Sequence, residues 1–330
     1  MWQYANQTVY FSSSEQMPQL KSGEIDVIVT SPPYNRGKHY QSDTEEVHND
    51  DLPEPEYLSF LTTVWRECYR VASDRAVFFL NIGDSATDQG ISEKVVNSAV
   101  NAGWNRIQDI IWVKSIHGKG HYTPTGSNKR FNNVWEHIYL LVKNPKTYLL
   151  DPKAIGIPYA DKSNIGRYGD SDLRDPGNVF HIPYEKTTGA TIKKGHDAPF
   201  PIGLPYQCIK CVPQAQTVLD PFLGTGTTLA AAVTLGKRGY GFENFPRKDL
   251  IIQTIKEGEF YQPQTPILIP HLEDAILQLV KLWAEHSLPL REPRSKKERV
   301  AWETLLDTLK KLEISTPLRE QLEDRLKAED

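Results

Sequence analysis

Two kinds of apolar run alternate along this chain. The segment EIDVIVT at 24–30 is short, β-branched and halted by Ser-Pro-Pro, the pattern of a buried strand that ends in a loop. AVFFL at 76–80 repeats it, and further strands are expected over 106–114 and 135–143. Between them the spacing changes: Phe60, Leu61, Val64 and Cys68 share one helical face within 55–72, and a second helical pattern over 91–102 meets Gly103, placed to stop it. From about 144 to 204 the periodicity dissolves into Gly, Pro, Asn, Asp and Lys. Tyr, Phe and Ile recur there, so the stretch reads as long functional loops. Order resumes near Leu204, with a strand at 216–220, a small-residue helix at 226–235 and a strand at 238–243. Strand, helix and strand within some thirty residues form a βαβ unit, which builds parallel sheet. The fold class is therefore α/β, a mostly parallel sheet flanked by helices. A Pro-rich stretch at 262–270 closes this body, and the remainder is helical and charged. Leu272, Ile276, Leu279 and Trp283 line one stripe there, and Leu305, Leu306, Leu309 and Leu312 another. Thr316-Pro317 suits the start of a last helix.

The chain of 330 residues has room for one large α/β domain and an appendage. No apolar stretch is long enough to argue for a membrane span. The start, MWQYANQTVYFSS, has neither the basic nor the apolar part of a secretory signal, and a cytoplasmic protein is expected. Three cysteines do not make a disulfide framework, and Cys208-x-x-Cys211 has no second ligand pair at zinc spacing, so no metal is expected. The net charge of −4 is unevenly distributed: residues 105–200 hold 14 Lys/Arg against 9 Asp/Glu, a local +5. A basic middle in an acidic whole suits a protein that meets phosphate on one side. Lys119, Lys129, Arg130, Arg167, Lys193 and Lys194 are the candidate nucleic-acid contacts, although each singly is more often a solvated surface charge.

Two constellations carry chemistry. Asp220-Pro221-Phe222-Leu223-Gly224-Thr225-Gly226-Thr227-Thr228 follows a strand and opens a helix. Glycines let such a backbone turn tightly and approach a ligand, and the free N–H groups of the helix start favour an anion. The spacing is neither the Walker A pattern nor the full dinucleotide fingerprint. Glu243, at the end of the next strand, is placed to bind vicinal ribose hydroxyls. In the second constellation, Thr30-Ser31-Pro32-Pro33-Tyr34-Asn35, the prolines fix φ and remove donors, so the loop offers carbonyl acceptors and a fixed aromatic ring. Its place at the end of a buried strand argues against a docking peptide.

Over roughly residues 8–258 these features resemble the amino-methyltransferases of DNA. Ser31-Pro32-Pro33-Tyr34 is similar to that family's catalytic motif, in the version usual for cytosine N4 enzymes, and 220–226 to its cofactor motif. The catalytic motif comes first, as in the family's permuted β group, whose target-recognition region lies between the two halves. Gly195-His196-Asp197-Ala198-Pro199-Phe200-Pro201, followed by Leu204-Pro205 and Ile209-Lys210, resembles the motif preceding the cofactor loop, and Trp135-Glu136-His137-Ile138 the strand ending the first half. The chain carries Phe11-Ser12-Ser13-Ser14 where family members often have Gly-Asp, which leaves Phe222 and Phe245 to flank an adenine.

The resemblance implies a Rossmann-like S-adenosylmethionine-dependent methyltransferase fold, permuted in motif order. Residues 1–261 would be the catalytic domain, with recognition loops at about 115–200, and 262–330 a helical extension. It implies S-adenosyl-L-methionine as cofactor, held by Thr30, Asp220, Pro221, Phe222, Gly224, Gly226, Thr227, Glu243 and Phe245, with Ser31, Pro32, Pro33 and Tyr34 catalytic. The expected reaction is direct displacement onto cytosine N4 in double-stranded DNA, with acceptors from Ser31 and Pro32 aiming the nitrogen lone pair and Tyr34 stacking on the flipped base. A cognate restriction endonuclease is a candidate partner, and monomer and homodimer are both open. Adenine N6 in DNA, cytidine N4 in RNA, a protein amide and a non-catalytic binding module are the alternatives. Cytosine C5 chemistry needs a cysteine nucleophile, usually in Pro-Cys, and that dipeptide is absent.

Overall fold

The computed structural model describes residues 1–35, 51–84, 88–114, 131, 133–159, 161–167, 169–183, 200–244 and 247–263, with Glu303, Leu306, Glu320, Glu323 and Asp324 beyond. The chain divides into two compact units, Met1–Pro266 and Ile267–Asp330. In the second, the five described residues are helical and Leu306 is buried. The other positions of the two expected C-terminal stripes lie outside the described residues.

The first unit is built on a mixed sheet. Its strands are β1 (Trp2–Tyr4), β2 (Gln7–Tyr10), β3 (Ile25–Thr30), β4 (Ala72–Ile82), β5 (Asn105–Val113), β6 (Trp135–Val142), β7 (Val179–His181), β8 (Thr217–Asp220) and β9 (Arg238–Phe242). Their order in the sheet is β1-β2-β9-β8-β3-β4-β6-β5-β7. The run from β2 to β4 is parallel throughout, whereas β6 lies antiparallel between β4 and β5. The helices are α1 (Glu54–Val71), α2 (Ile91–Asn101), α3 (Gly203–Lys210), α4 (Thr227–Thr234) and α5 (Lys248–Glu257). The expected strands and helices are present to within a few residues at their ends, except that β4 begins four residues earlier than the apolar run suggests. β1, β2, β7 and α5 are additions.

The near-continuous apolar runs follow from burial on both faces. Ala76, Phe78, Leu80 and Ile82 of β4, with Tyr139 and Leu141 of β6, face one layer, where α1 contributes Leu61, Val64, Trp65 and Cys68 and α2 contributes Val95, Val96 and Ala99. Val77 and Phe79, with Ile138 and Leu140, face the other layer, against Leu204, Cys208 and Ile209 of α3 and Ala231 and Ala232 of α4. Buried indole N–H groups need acceptors. Trp65 donates to Ser98 Oγ at 3.0 Å and Trp104 to the Trp65 carbonyl at 3.1 Å. All three cysteines are free and buried, and burial pushes the Cys68 and Cys208 thiols up and Cys211 to about 12, so they are inert core residues.

Chain direction places the functional region. From β8 the chain passes through α4 to β9 on one side, while from β3 it passes through α1 to β4 on the other, so the order reverses between the adjacent strands β8 and β3. Open α/β sheets bind ligands outside the carboxyl ends of their strands at such a switch point. Among the described residues, no helix is long and apolar enough to cross a membrane, and no group of three or more His, Cys, Asp or Glu is placed to hold a metal ion.

One close approach packs the end of α5 against α4. A Cβ on Gly258 would lie 2.3 Å from the carbonyl oxygen of Ala230 in α4, which is backbone and cannot yield as a side chain does. Gly258→Ala is expected to destabilise the protein by about 1–3 kcal/mol, the usual effect of overpacking, read as a lower urea midpoint at unchanged slope. An unchanged midpoint would show that the two segments separate freely.

Candidate active site

The β3–β8 ladder pairs only Val27 with Val218 and Ile28 with Leu219, and side chains tie the strands at both ends. At the amino ends, Asp26 accepts from the backbone N–H of Gln216 at 2.8 Å and from Thr217 Oγ1 at 3.1 Å. At the carboxyl ends, where the two motifs meet, Thr30 Oγ1 donates to Asp220 Oδ1 at 2.6 Å. Thr228 Oγ1, at the start of α4, donates to Asp220 Oδ2 at 2.6 Å, and the Phe222 N–H donates to Oδ1 at 3.0 Å. Asp220 and Thr30 are buried, so both carboxylate oxygens face protein donors across the switch point.

The loop from 221 to 226 then enters α4 with Gly224 at φ 56° and Gly226 at φ 95°, in the left-handed region that glycine occupies without strain. Glu243, just beyond β9, accepts the Gly224 N–H on Oε2 at 2.7 Å. That bond fixes the carboxylate beside the loop, where ribose hydroxyls are bound in nucleotide-binding α/β folds. Phe222 is half-buried, with its ring 5.7 Å from Trp65, edge-on, and 5.9 Å from Phe60. Pro221 and Thr227 are buried in the same turn, and Thr227 Oγ1 lies 3.3 Å from Thr225 Oγ1.

On the other side of the switch point the Ser31–Asn35 loop is held at three places. Tyr57 OH donates to the Pro33 carbonyl at 2.7 Å. The Asn35 amide exchanges two 2.7 Å hydrogen bonds with the backbone of Leu52, from a left-handed φ of 52° that Asn tolerates. Ser31 Oγ donates to Tyr34 OH at 3.3 Å, and Tyr34 OH donates to Glu136 Oε2 at 3.1 Å. Glu136 also receives Asn81 Nδ2 at 3.2 Å and forms a 2.7 Å ion pair with Lys114.

The structure thus brings Thr30, Ser31, Pro32, Pro33 and Tyr34 to the same end of the sheet as Asp220, Pro221, Phe222, Gly224, Gly226, Thr227 and Glu243. Phe245 lies outside the described residues, as do Lys119, Lys129, Arg130, Lys193 and Lys194, and the segment 195–199. Arg167 is exposed on a turn following a short 3-10 helix (Lys162–Asn164). Sequence reasoning missed Asn81, Lys114 and Glu136. Their signal was a polar residue inside an apolar strand run: FFLNI, IIWVK and WEHIYLLV.

Burial pushes the Asp220 carboxyl from the ordinary 3.8 up to about 6, against the lowering effect of hydrogen bonds from Thr228, Thr30 and the Phe222 N–H. A raised carboxyl means that the folded state holds the proton more tightly than the unfolded one. Its contribution to stability is therefore complete below about pH 4 and lost as pH rises through about 6. Relative to Asp220→Asn, the wild type should lose unfolding free energy between pH 4 and 6 and run parallel above it. Urea titrations of both proteins across that range check this, and parallel curves throughout would place the carboxyl at its ordinary value.

Residues 25–250 match the family model described as DNA methylase, N6_N4_Mtase. The chain is similar to the Type II methyltransferase M.ScaI of Streptomyces caespitosus, 29% identical over 246 residues that span 70% of this chain and 74% of that one. It is similar to the Type II methyltransferase M.BglII of Bacillus subtilis at 27% over 259 residues, 73% of this chain and 66% of that protein. Among solved structures, PvuII DNA methyltransferase (cytosine-N4-specific) shares the fold with a TM-score of 0.57 at 18% identity, covering 78% of this chain and 87% of its own. With a family match over more than half its length, the chain belongs to the N6/N4 family of DNA methyltransferases, whose methyl donor is S-adenosylmethionine.

Proposed function

We propose that this protein methylates the exocyclic N4 of cytosine in double-stranded DNA, at a specific sequence and on a base flipped out of the helix. The observation that carries the reading is the Ser31 hydroxyl at the tip of β3. Its proton is directed at Tyr34 OH, so its lone pairs are left to accept from an amino group, and it stands across the switch point from the Gly224–Glu243 loop.

Glu243, Phe222, Phe245 and the loop from Asp220 to Thr227 would hold the donor. The fit is chemical: an anchored carboxylate suits ribose hydroxyls, a half-buried aromatic ring suits a purine, and positive-φ glycines open the backbone to close approach. When bound, S-adenosylmethionine supplies an electrophilic methyl group on a sulfonium. The cytosine amino nitrogen is a weak nucleophile because its lone pair is delocalised into the ring. Ser31 Oγ and the Pro32 carbonyl accept its two N–H hydrogens, hold it toward tetrahedral geometry and aim the pair. The ring of Tyr34, fixed through its hydroxyl, stacks on the extruded base, a contact worth about 1–3 kcal/mol. Transfer is then a direct displacement.

In this reading residues 1–261 form the catalytic domain, the basic segment around 115–200 reads the target, and 262–330 are a helical extension. A restriction endonuclease cutting the same sequence is the fitting functional partner.

Labelled S-adenosylmethionine incubated with mixed-sequence duplex DNA should yield N4-methylcytosine on digestion to nucleosides. N6-methyladenine instead would overturn the Ser31 inference while leaving the family intact, and label entering only RNA would overturn the duplex substrate. Ser31→Ala removes one acceptor from the amino group and should slow single-turnover transfer by about 10–100-fold with little change in donor affinity. Glu243→Ala should act in the opposite sense, weakening equilibrium binding of S-adenosylmethionine by about 10–100-fold, as expected for charge-assisted hydrogen bonds. Unaltered binding in the Glu243 variant would remove that residue from the cofactor site.

A further inference from the structure

The reaction leaves a proton to be removed, and the catalytic loop is joined to an acceptor for it. We propose that Ser31, Tyr34 and Glu136 form a proton relay that drains the methylated amino nitrogen, with Glu136 as terminal acceptor and Lys114 and Asn81 holding it in place. The inference rests on the amino-methyltransferase reading above.

Four segments build the relay and its support: the loop after β3, β4, the residue following β5, and β6. Glu136 is the second residue of β6, where the register sets His137 opposite Ile82 of β4 and Glu136 opposite Trp112 of β5. Its Oε2 receives Tyr34 OH and Asn81 Nδ2, and its Oε1 receives Lys114 Nζ. Side chains of this pair are only 14% and 9% exposed. A charge in such a place is destabilising unless paired and hydrogen-bonded, and here both oxygens are engaged. The backbone leaves room for it as well: a Cβ on Gly83 would lie 2.5 Å from Glu136 Cγ, so the residue beyond β4 is one that has no side chain. Fixing the Tyr34 ring would need only a neutral acceptor, whereas a carboxylate able to take a proton stands at the end of a hydroxyl chain that begins on the catalytic serine.

Forming the N–CH3 bond leaves the amino nitrogen with two hydrogens and a positive charge. One N–H bond breaks as its proton passes to Ser31 Oγ. The serine's own proton passes to Tyr34 Oη, and the tyrosine's proton passes to Glu136 Oε2. The base ends as a neutral N-methylamine, Ser31 and Tyr34 are restored as neutral hydroxyls, and Glu136 becomes a neutral carboxylic acid beside the Lys114 ammonium. A carboxylate suffices as the acceptor, because an N-protonated aminopyrimidine is strongly acidic. The Ser31–Tyr34 separation of 3.3 Å is long for a hydroxyl pair, and such bonds shorten when substrate closes the site.

The test uses the full chain under single-turnover conditions, with three readouts: rate of methyl transfer to DNA, equilibrium binding of S-adenosylmethionine, and fluorescence of 2-aminopurine at the target position as a measure of base extrusion. Glu136→Gln keeps the side-chain shape and an amide that can still hold Tyr34, but it takes no proton. It should slow transfer by about 100-fold, within the range for lost acid–base catalysis, with donor binding and extrusion unchanged. Tyr34→Phe keeps the stacking ring, breaks the chain and should slow transfer to a similar extent, so it decides the matter if the Glu136 variant fails to fold. The double variant should be no slower than the slower single one, since both interrupt one path. A wild-type rate in Glu136→Gln, additive losses in the double variant, or losses that track weakened binding or extrusion would each overturn the relay. Absence of methyl transfer by the wild-type protein to any nucleic acid would instead overturn the functional reading on which it rests.

Discussion

The bond from Thr30 to Asp220 is the constraint on which the site depends. It crosses the point where the strand order reverses, and it joins the last residue of β3 to the last residue of β8, each followed at once by a functional loop. Thr228 donates to the other oxygen from the first turn of α4, so one buried carboxylate fixes the end of β3, the end of β8 and the helix that follows. The ladder between the strands is two pairs long and would by itself leave their ends free to splay. Asp220 therefore works as a joint: the placement of the Ser31–Asn35 loop relative to the Pro221–Gly226 loop is held by its two 2.6 Å bonds. Displacement chemistry is sensitive to misplacement on the ångström scale, which gives a physical reason for a buried charge here.

Burial on both faces explains how much of the fold was legible. β3, β4, β6 and β8 alternate between two apolar layers, so their sequences carry unbroken apolar runs that cannot be confused with exposed loops. β1 and β2 escaped notice because they are short and pair at the sheet edge, with Gln7 and Thr8 interrupting the apolar signal. β7 is three residues long, and its Val179 is exposed, so nothing local marked it. In α5, Ile251, Thr254 and Ile255 make a narrow buried stripe among charged neighbours that reads as a loop without the partner it covers.

The site divided differently. Ser31 to Tyr34 and Asp220 to Thr228 were legible because each group is contiguous, and backbone geometry makes contiguous glycines and prolines informative. Glu136, Lys114 and Asn81 are brought together only by the register of three strands, two of them antiparallel to the third, which a linear reading cannot supply. What a linear reading does supply is the anomaly: a carboxylate one residue into WEHIYLLV and a lysine closing IIWVK. Polar residues in apolar runs are the positions where folding alone gives no reason for the side chain, and here Asn81 and Lys114 converge on the Glu136 carboxylate, which accepts the Tyr34 hydroxyl.

The buried Asp220 and the half-buried Glu136 show how environment divides labour between like groups. Asp220 receives neutral hydroxyls and an amide N–H and, among the described residues, has no cation bonded to it; burial dominates and its carboxyl is pushed up to about 6. Glu136 is bonded to an ammonium, and its charged form is satisfied in place. A carboxylate of the first kind is a rigid acceptor whose partners are all structural. One of the second kind, reached from Ser31 through a tyrosine, stands at the end of a hydroxyl chain with an ammonium beside it. Since cationic charge develops on the base as its methyl bond forms, an anion poised at the end of a hydroxyl chain stabilises that charge before any proton moves, and the same geometry then carries the proton away.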